Sequence, residues 1–137
     1  MEKKEIAFKQ IKAAAKHYNA GDYICCITLA GAAEEILGKI AKKNRGFNQL
    51  DNDVSYAQNI YQYFSKQIPT KKEIIQNINK TKNELKHNDT GENLWIEADF
   101  ENEASSFFVK AVKNYFDSFG ELPKNRTITK LFDFFTL

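Results

Sequence analysis

Apolar residues recur at helical spacing along most of the chain, and no stretch shows a clear strand pattern. Ile6, Phe8, Ile11, Ala14, Ala15 and Tyr18 mark a first helix over residues 3–19. Asn19-Ala20-Gly21-Asp22 then stops one helix and starts another. Gly21 suits a C-terminal turn and Asp22 is a good N-cap. So short a connection makes the first two helices antiparallel neighbours. The second helix, about 22–43, is apolar on two sides. Cys26, Leu29, Ala33, Ile36 and Ile40 form one stripe, and Tyr23, Ile24, Ile27, Gly31, Gly38 and Ala41 the other. A helix of that kind is buried centrally or sits between a core and a partner. Gly31 and Gly38 each cost roughly 1 kcal/mol of helix propensity, which points to close packing at both positions.

Asn44 to Asn48 end the second helix. A weaker third, over 53–66, runs through Val54, Ala57, Ile60, Tyr61 and Phe64. Pro69 stops it, and Thr70 with Glu73 forms a capping box for a fourth helix over 71–87. That helix aligns Ile74, Ile75, Ile78, Lys82 and Leu85. Asn88 to Asn93 read as a polar loop, with Leu94-Trp95-Ile96 packing back on the bundle. The fifth helix, 97–119, is the most strongly patterned, from Phe100 through Phe107, Phe108, Val112 and Tyr115 to Phe119. Gly120 suits its C-cap and Pro123 is a stop. Ile128, Leu131, Phe132, Phe134 and Phe135 place a last helix over 127–135. The pattern predicts one all-α domain over residues 1–137, an up-and-down bundle of four to six helices. The first hairpin is similar to a tetratricopeptide turn, but residues 52–66 do not repeat it, which excludes a repeat array.

Length and composition agree. The chain has 137 residues, 42% of them apolar, with 11 Phe and 6 Tyr to make a partly aromatic core. No apolar run approaches a membrane span. Met1 to Glu5 alternate in charge with no apolar run behind them, so the expected compartment is the cytoplasm. A net charge of +2 does not by itself imply nucleic-acid binding. Basic residues are dense at Lys39–Arg45 and Lys80–Lys86, and folding can bring two such clusters together. Cys25 and Cys26 are adjacent and read as small buried hydrophobes. Two Cys and two distant His are too few for zinc, so neither a metal nor a cofactor is expected.

The stretch Thr81 to Asp89 gathers the candidate chemistry: Lys82, Asn83, Lys86 and His87. Asn83 and His87 are four apart and share a helix face, whereas Lys82 and His87, five apart, diverge by about 140° on a regular helix. Lys82 borders the apolar stripe, so its stem is covered and its ammonium reaches out over an interface. Lys82 and Lys86 suit a phosphate, and His87 can move a proton to or from a ribose hydroxyl. The plain alternative is a helix end with a surface histidine. Glu34 is either a rim carboxylate or one aimed at a site or dimer interface. His17, beside Lys16 at the end of the first helix, reads as C-terminal capping.

These features resemble the HEPN superfamily, the higher-eukaryote and prokaryote nucleotide-binding domain. The resemblance lies in the short helical chain, the hairpin Tyr18…Gly21-Asp22-Tyr23…Ala30…Ala33-Glu34, and Lys82-Asn83-Glu84-Leu85-Lys86-His87. It covers about residues 3–120. The family's signature is an Arg, a following polar residue, and a His after four to six intervening positions; Lys82, Asn83 and His87 occupy these places. The resemblance implies a helical bundle that forms a homodimer and brings both motifs to one cleft. It implies either a metal-independent ribonuclease of a toxin–antitoxin or defence system, or a non-catalytic nucleotide- or partner-binding module beside a nucleotidyltransferase-type antitoxin. In the first case His87 is the acid/base, Lys82 the phosphate cation and Asn83 an orienting group, with Lys86 and Glu34 as substrate-side support. Lys82 departs from the signature: it keeps the charge of Arg but not its planar two-pronged fork.

Overall fold

The turn between the first two helices forms as its residues dictate. Asp22 Oδ1 accepts from the Cys25 amide at 3.1 Å, and Gly21 turns the chain at φ 77°. A computed structural model describes residues 1–64 and 67–137. Its helices are α1 (Lys3–Asn19), α2 (Tyr23–Arg45), α3 (Gln49–Phe64), α4 (Lys71–Ile78), α5 (Lys80–Glu84), α6 (Phe100–Phe119) and α7 (Arg126–Thr136). The chain is an all-α bundle, as the periodicity predicts. Among the described residues no helix is long and apolar enough to cross a membrane.

The core lies between α1, α2 and α6, with α7 closing one end. Ala7, Ile11, Ala14 and Ala15 of α1 meet Cys26, Ile27, Ala30, Ala33 and Leu37 of α2. Phe107, Phe108, Ala111 and Val112 of α6 fill the space that these small residues leave. Fully burying a Phe or Leu side chain is worth about 1.5–3 kcal/mol, so this slab dominates stability. Ile128 and Leu131 bring α7 onto it.

Several sequence expectations shift. The core side of α2 is Cys26, Ala30, Ala33 and Leu37 together with Ile27, Gly31, Glu34, Gly38 and Ala41, while Ile36 and Ile40 are only half-buried and Ile24 is exposed. One broad face spanning parts of both predicted stripes is therefore covered. The helix α3 begins at Gln49 rather than 53, because Asn48 and Asp51 cap it reciprocally: the Asn48 amide donates to Asp51 Oδ2 at 3.1 Å, and the Asp51 amide to Asn48 Oδ1 at 2.9 Å. The predicted end of that helix at residues 65–66 lies outside the described residues. Finally, Leu94 and Trp95 are 81% and 84% exposed and do not pack back on the bundle. Among the described residues the hydrogen bonds of their segment are local, as where the Asn88 side chain donates to the Asn93 carbonyl at 2.8 Å.

The predicted fourth helix splits at Asn79, which sits at φ −93°, ψ 3° between α4 and α5. Asparagine competes with helical backbone through its own side chain, and this φ/ψ region favours turns. Thr70 caps α4 as expected, its hydroxyl accepting from the Glu73 amide at 3.2 Å.

Candidate functional site

Thr81 and Lys82 are buried, though their sequence setting is polar. The break at Asn79 lets α5 turn these two residues inward against α2. Lys82 needs room there, and Gly31 supplies it: a Cβ at position 31 would stand 2.6 Å from Lys82 Cδ. The propensity cost of Gly31 is thus explained by close approach.

The ammonium of Lys82 does not reach out over an interface. It lies 3.7 Å from Glu34 Oε2 and 3.6 Å from Glu35 Oε2, and 5.7 Å from the centre of the Phe107 ring. Glu34 is only 4% exposed, so it is neither a rim residue nor a free one. Burial pushes its carboxyl above the ordinary glutamate range, and Lys82 and Lys110 act in the opposite sense. On the other face of the network, Lys110 Nζ sits 4.3 Å from the Phe107 ring centre and 3.4 Å from Asp53 Oδ2. Two ammonium groups therefore share one ring, each held by carboxylates from a neighbouring helix.

Beyond α5 the chain tightens. The Lys86 and His87 amides both donate to the Asn83 carbonyl, at 3.1 and 2.9 Å. This turn defeats the 140° divergence of a regular helix: Lys82, Asn83, Lys86 and His87 all border one cleft of about 460 Å³. Its opposite wall is α2, with Glu34, Glu35, Gly38 and Lys39. Asn83, Lys86 and His87 are exposed. At the same cleft Asn79 Oδ1 is buried without a hydrogen-bond donor among the described residues. All five predicted site residues, Glu34, Lys82, Asn83, Lys86 and His87, are thus brought together.

A second depression of about 640 Å³ adjoins the first and shares Glu35, Lys39 and Lys86 with it. It adds Lys3 from α1 and Lys43 from α2, with Ile36 and Ile40 at its floor. Lys39 and Lys43 of the first basic stretch therefore meet Lys86 of the second. Sequence reasoning anticipated that meeting but missed Lys3 and Glu35, which carry no motif. It also missed Asn114, a buried asparagine of α6 that donates to the Glu34 carbonyl at 3.2 Å and accepts from the Gln49 amide at 2.9 Å. An asparagine beside Tyr115 and Phe116, in the strongly apolar second half of α6, is the signal that points to it.

Away from the cleft, Cys26 is core as expected, and burial pushes its thiol up to about 12. Cys25, expected as a second buried hydrophobe, is only half-buried, and both thiols are free. Comparison with known proteins adds no relative: no family model matches the chain, and no curated protein or solved structure matches it significantly.

Proposed function

We propose that this protein is a HEPN-like module that binds nucleotide or RNA phosphates where α2 faces the turn after α5. The observation that carries this reading is the meeting of Lys3, Lys39, Lys43 and Lys86 along two adjoining depressions. Among the described residues none of the four pairs with a carboxylate. Unpaired lysines on one face are the electrostatic footprint of a polyanion site even where net charge is small. Lys39 and Lys86 meet the phosphates, and Asn83 and His87 offer hydrogen bonds to ribose or base. Lys82, shared by two carboxylates, supports the wall instead of holding phosphate.

A second reading, a metal-independent ribonuclease acting as a homodimer, is favoured by the exposed His87 opening into the cleft that Lys82 floors. In it His87 takes the proton of a ribose hydroxyl, and a second copy completes the site.

One experiment separates the two. Labelled single-stranded RNA is incubated with the protein in EDTA, and binding and cleavage are read together with the mass from light scattering. Lys39→Ala with Lys86→Ala is expected to weaken binding roughly tenfold or more and to flatten its salt dependence by about one phosphate contact per lysine. His87→Ala is expected to keep most of the affinity. Absence of any RNA or nucleotide binding by the wild-type chain overturns both readings. Cleavage that disappears in His87→Ala and rises in Lys82→Arg selects the ribonuclease.

A further inference from the structure

The α1–α2 turn gathers three side chains that the cleft does not use. His17 Nδ1 lies 3.3 Å from Asp22 Oδ2, and donor atoms of His17, Asp22 and Cys25 all fall within 4.8 Å of one another. Each residue is partly exposed, so the cluster is open to solvent. Cys25 precedes Glu34 by nine positions on α2, about 14 Å along the helix axis, so this is a place distinct from the cleft.

We propose that His17, Asp22 and Cys25 form a binding site for a borderline-soft divalent cation of the zinc type. The donor set is the argument. Imidazole nitrogen, carboxylate oxygen and thiolate sulfur are the three ligand types zinc takes, at about 2.0–2.3 Å. Around a tetrahedral ion such donors stand roughly 3.3–3.8 Å apart, so the present spacing, within 4.8 Å, has to close by roughly 1–1.5 Å at most on binding. Charge also balances: neutral His17, Asp22 carboxylate and Cys25 thiolate bring two negative charges to a dication. A harder ion such as magnesium or calcium would reject the sulfur and the imidazole. With three protein ligands, the fourth position belongs to water.

The cluster is framed by the ends of two core helices. His17 is in the last turn of α1, whose Ile11, Ala14 and Ala15 are core, and Cys25 is in the first turn of α2, beside buried Cys26. The Asp22 amide donates to the His17 carbonyl at 2.8 Å, which locks the turn. Asp22 spends Oδ1 on the Cys25 amide and keeps Oδ2 towards His17. Zinc takes the thiolate, so binding displaces the Cys25 thiol proton to solvent. No oxidation or reduction is involved.

Capping by Asp22 and its pair with His17 would by themselves explain two of the three residues. Cys25 is the residue they leave unexplained, and the test turns on it. The intact protein is titrated with Co²⁺ and then Zn²⁺, with reduced thiols and no chelator. Wild type is expected to show visible cobalt bands with a thiolate-to-cobalt charge-transfer band, saturating at about one equivalent per chain, and zinc abolishes them. Cys25→Ser is expected to lose the charge-transfer band and to weaken zinc binding roughly tenfold or more. Asp22→Asn, which still caps the helix, is expected to weaken zinc comparably, and Cys26→Ala to leave it unchanged. As a readout independent of colour, zinc is expected to protect Cys25 from alkylation. Absence of the cobalt bands in wild type, binding that persists unchanged in Cys25→Ser, or alkylation of Cys25 indifferent to zinc would each overturn the proposal. Helicity measured on every variant separates a lost ligand from a lost fold.

Discussion

The molecule has two halves that are held by different forces. The slab of α1, α2, α6 and α7 is joined by apolar surface, alanines of two helices against phenylalanines of a third. The arm of α3, α4 and α5 buries only Val54 and Ile74 as hydrophobes. Its ties are polar: Asn48 Nδ2 to the Gly38 carbonyl at 3.2 Å, the Gln49 amide to Asn114, Gln49 Nε2 to Asp117 at 3.0 Å, Lys110 to Asp53, and Lys82 to Glu34 and Glu35. Apolar packing is non-directional and tolerant, whereas each polar tie has a geometry and leaves a penalty when broken. The cleft has one wall on each half. The slab supplies a fixed wall, and the arm sets where Asn83, Lys86 and His87 stand against it.

The largest effect is expected where both halves meet. Phe107→Ala removes a fully buried ring of the slab and the surface shared by Lys82 and Lys110, and should cost about 3–5 kcal/mol in denaturant unfolding. A loss below about 1 kcal/mol would mean that the ring contributes little to either half. Next is Asn114→Ala, which orphans the Gln49 amide and should cost about 1–3 kcal/mol. Hydrogen exchange checks its locality: α3 should lose protection while α2 and α6 keep theirs, and uniform loss would dissolve the distinction between arm and slab.

Gly31→Ala tests the close approach alone. The added methyl gains about 1 kcal/mol of helix propensity but collides with Lys82, so little net change, or mild destabilisation, is expected. In a Lys82→Ala background the same substitution should turn stabilising, and additive behaviour of the two would remove the contact from the account. The smallest effect belongs to Leu94→Ala and Trp95→Ala, expected within about 0.5 kcal/mol of wild type because both side chains face solvent.

The helices of the slab were legible in the sequence because their residues obey one rule, apolar recurrence at 3.6 positions, although the covered face of α2 was not. Gly120 and the stop after α6 were read correctly, and φ 73° at Gly120 is the left-handed cap expected there. The site was legible as a set of residues but not as a geometry. Its geometry depends on Asn79, a single break inside a pattern that otherwise runs on to Leu85, and no periodicity registers one displaced turn. The start of α3 was missed because its capping pair is Asn48 with Asp51 instead of a Ser or Thr with Glu. Leu94 and Trp95 were misplaced for the opposite reason: large apolar side chains invite burial, yet the polar residues before them give the chain no helix to lean on. Glu34 was visible, but its burial follows from Lys82 and Gly31 across a contact no local window spans.

The segment between α5 and α6, fifteen residues from Leu85 to Asp99 without a helix or strand, has a consequence for the molecule as an assembly of pieces. A protease finds exposed backbone there, held only by short-range hydrogen bonds, whereas the slab offers helices. Cutting it yields a larger piece carrying α1 to α5 and a smaller one carrying α6 and α7, and neither piece has a complete core. Each holds the surface that the other must bury, so the two pieces of a nicked chain are expected to stay together through the shared core, which size measurement under native conditions checks.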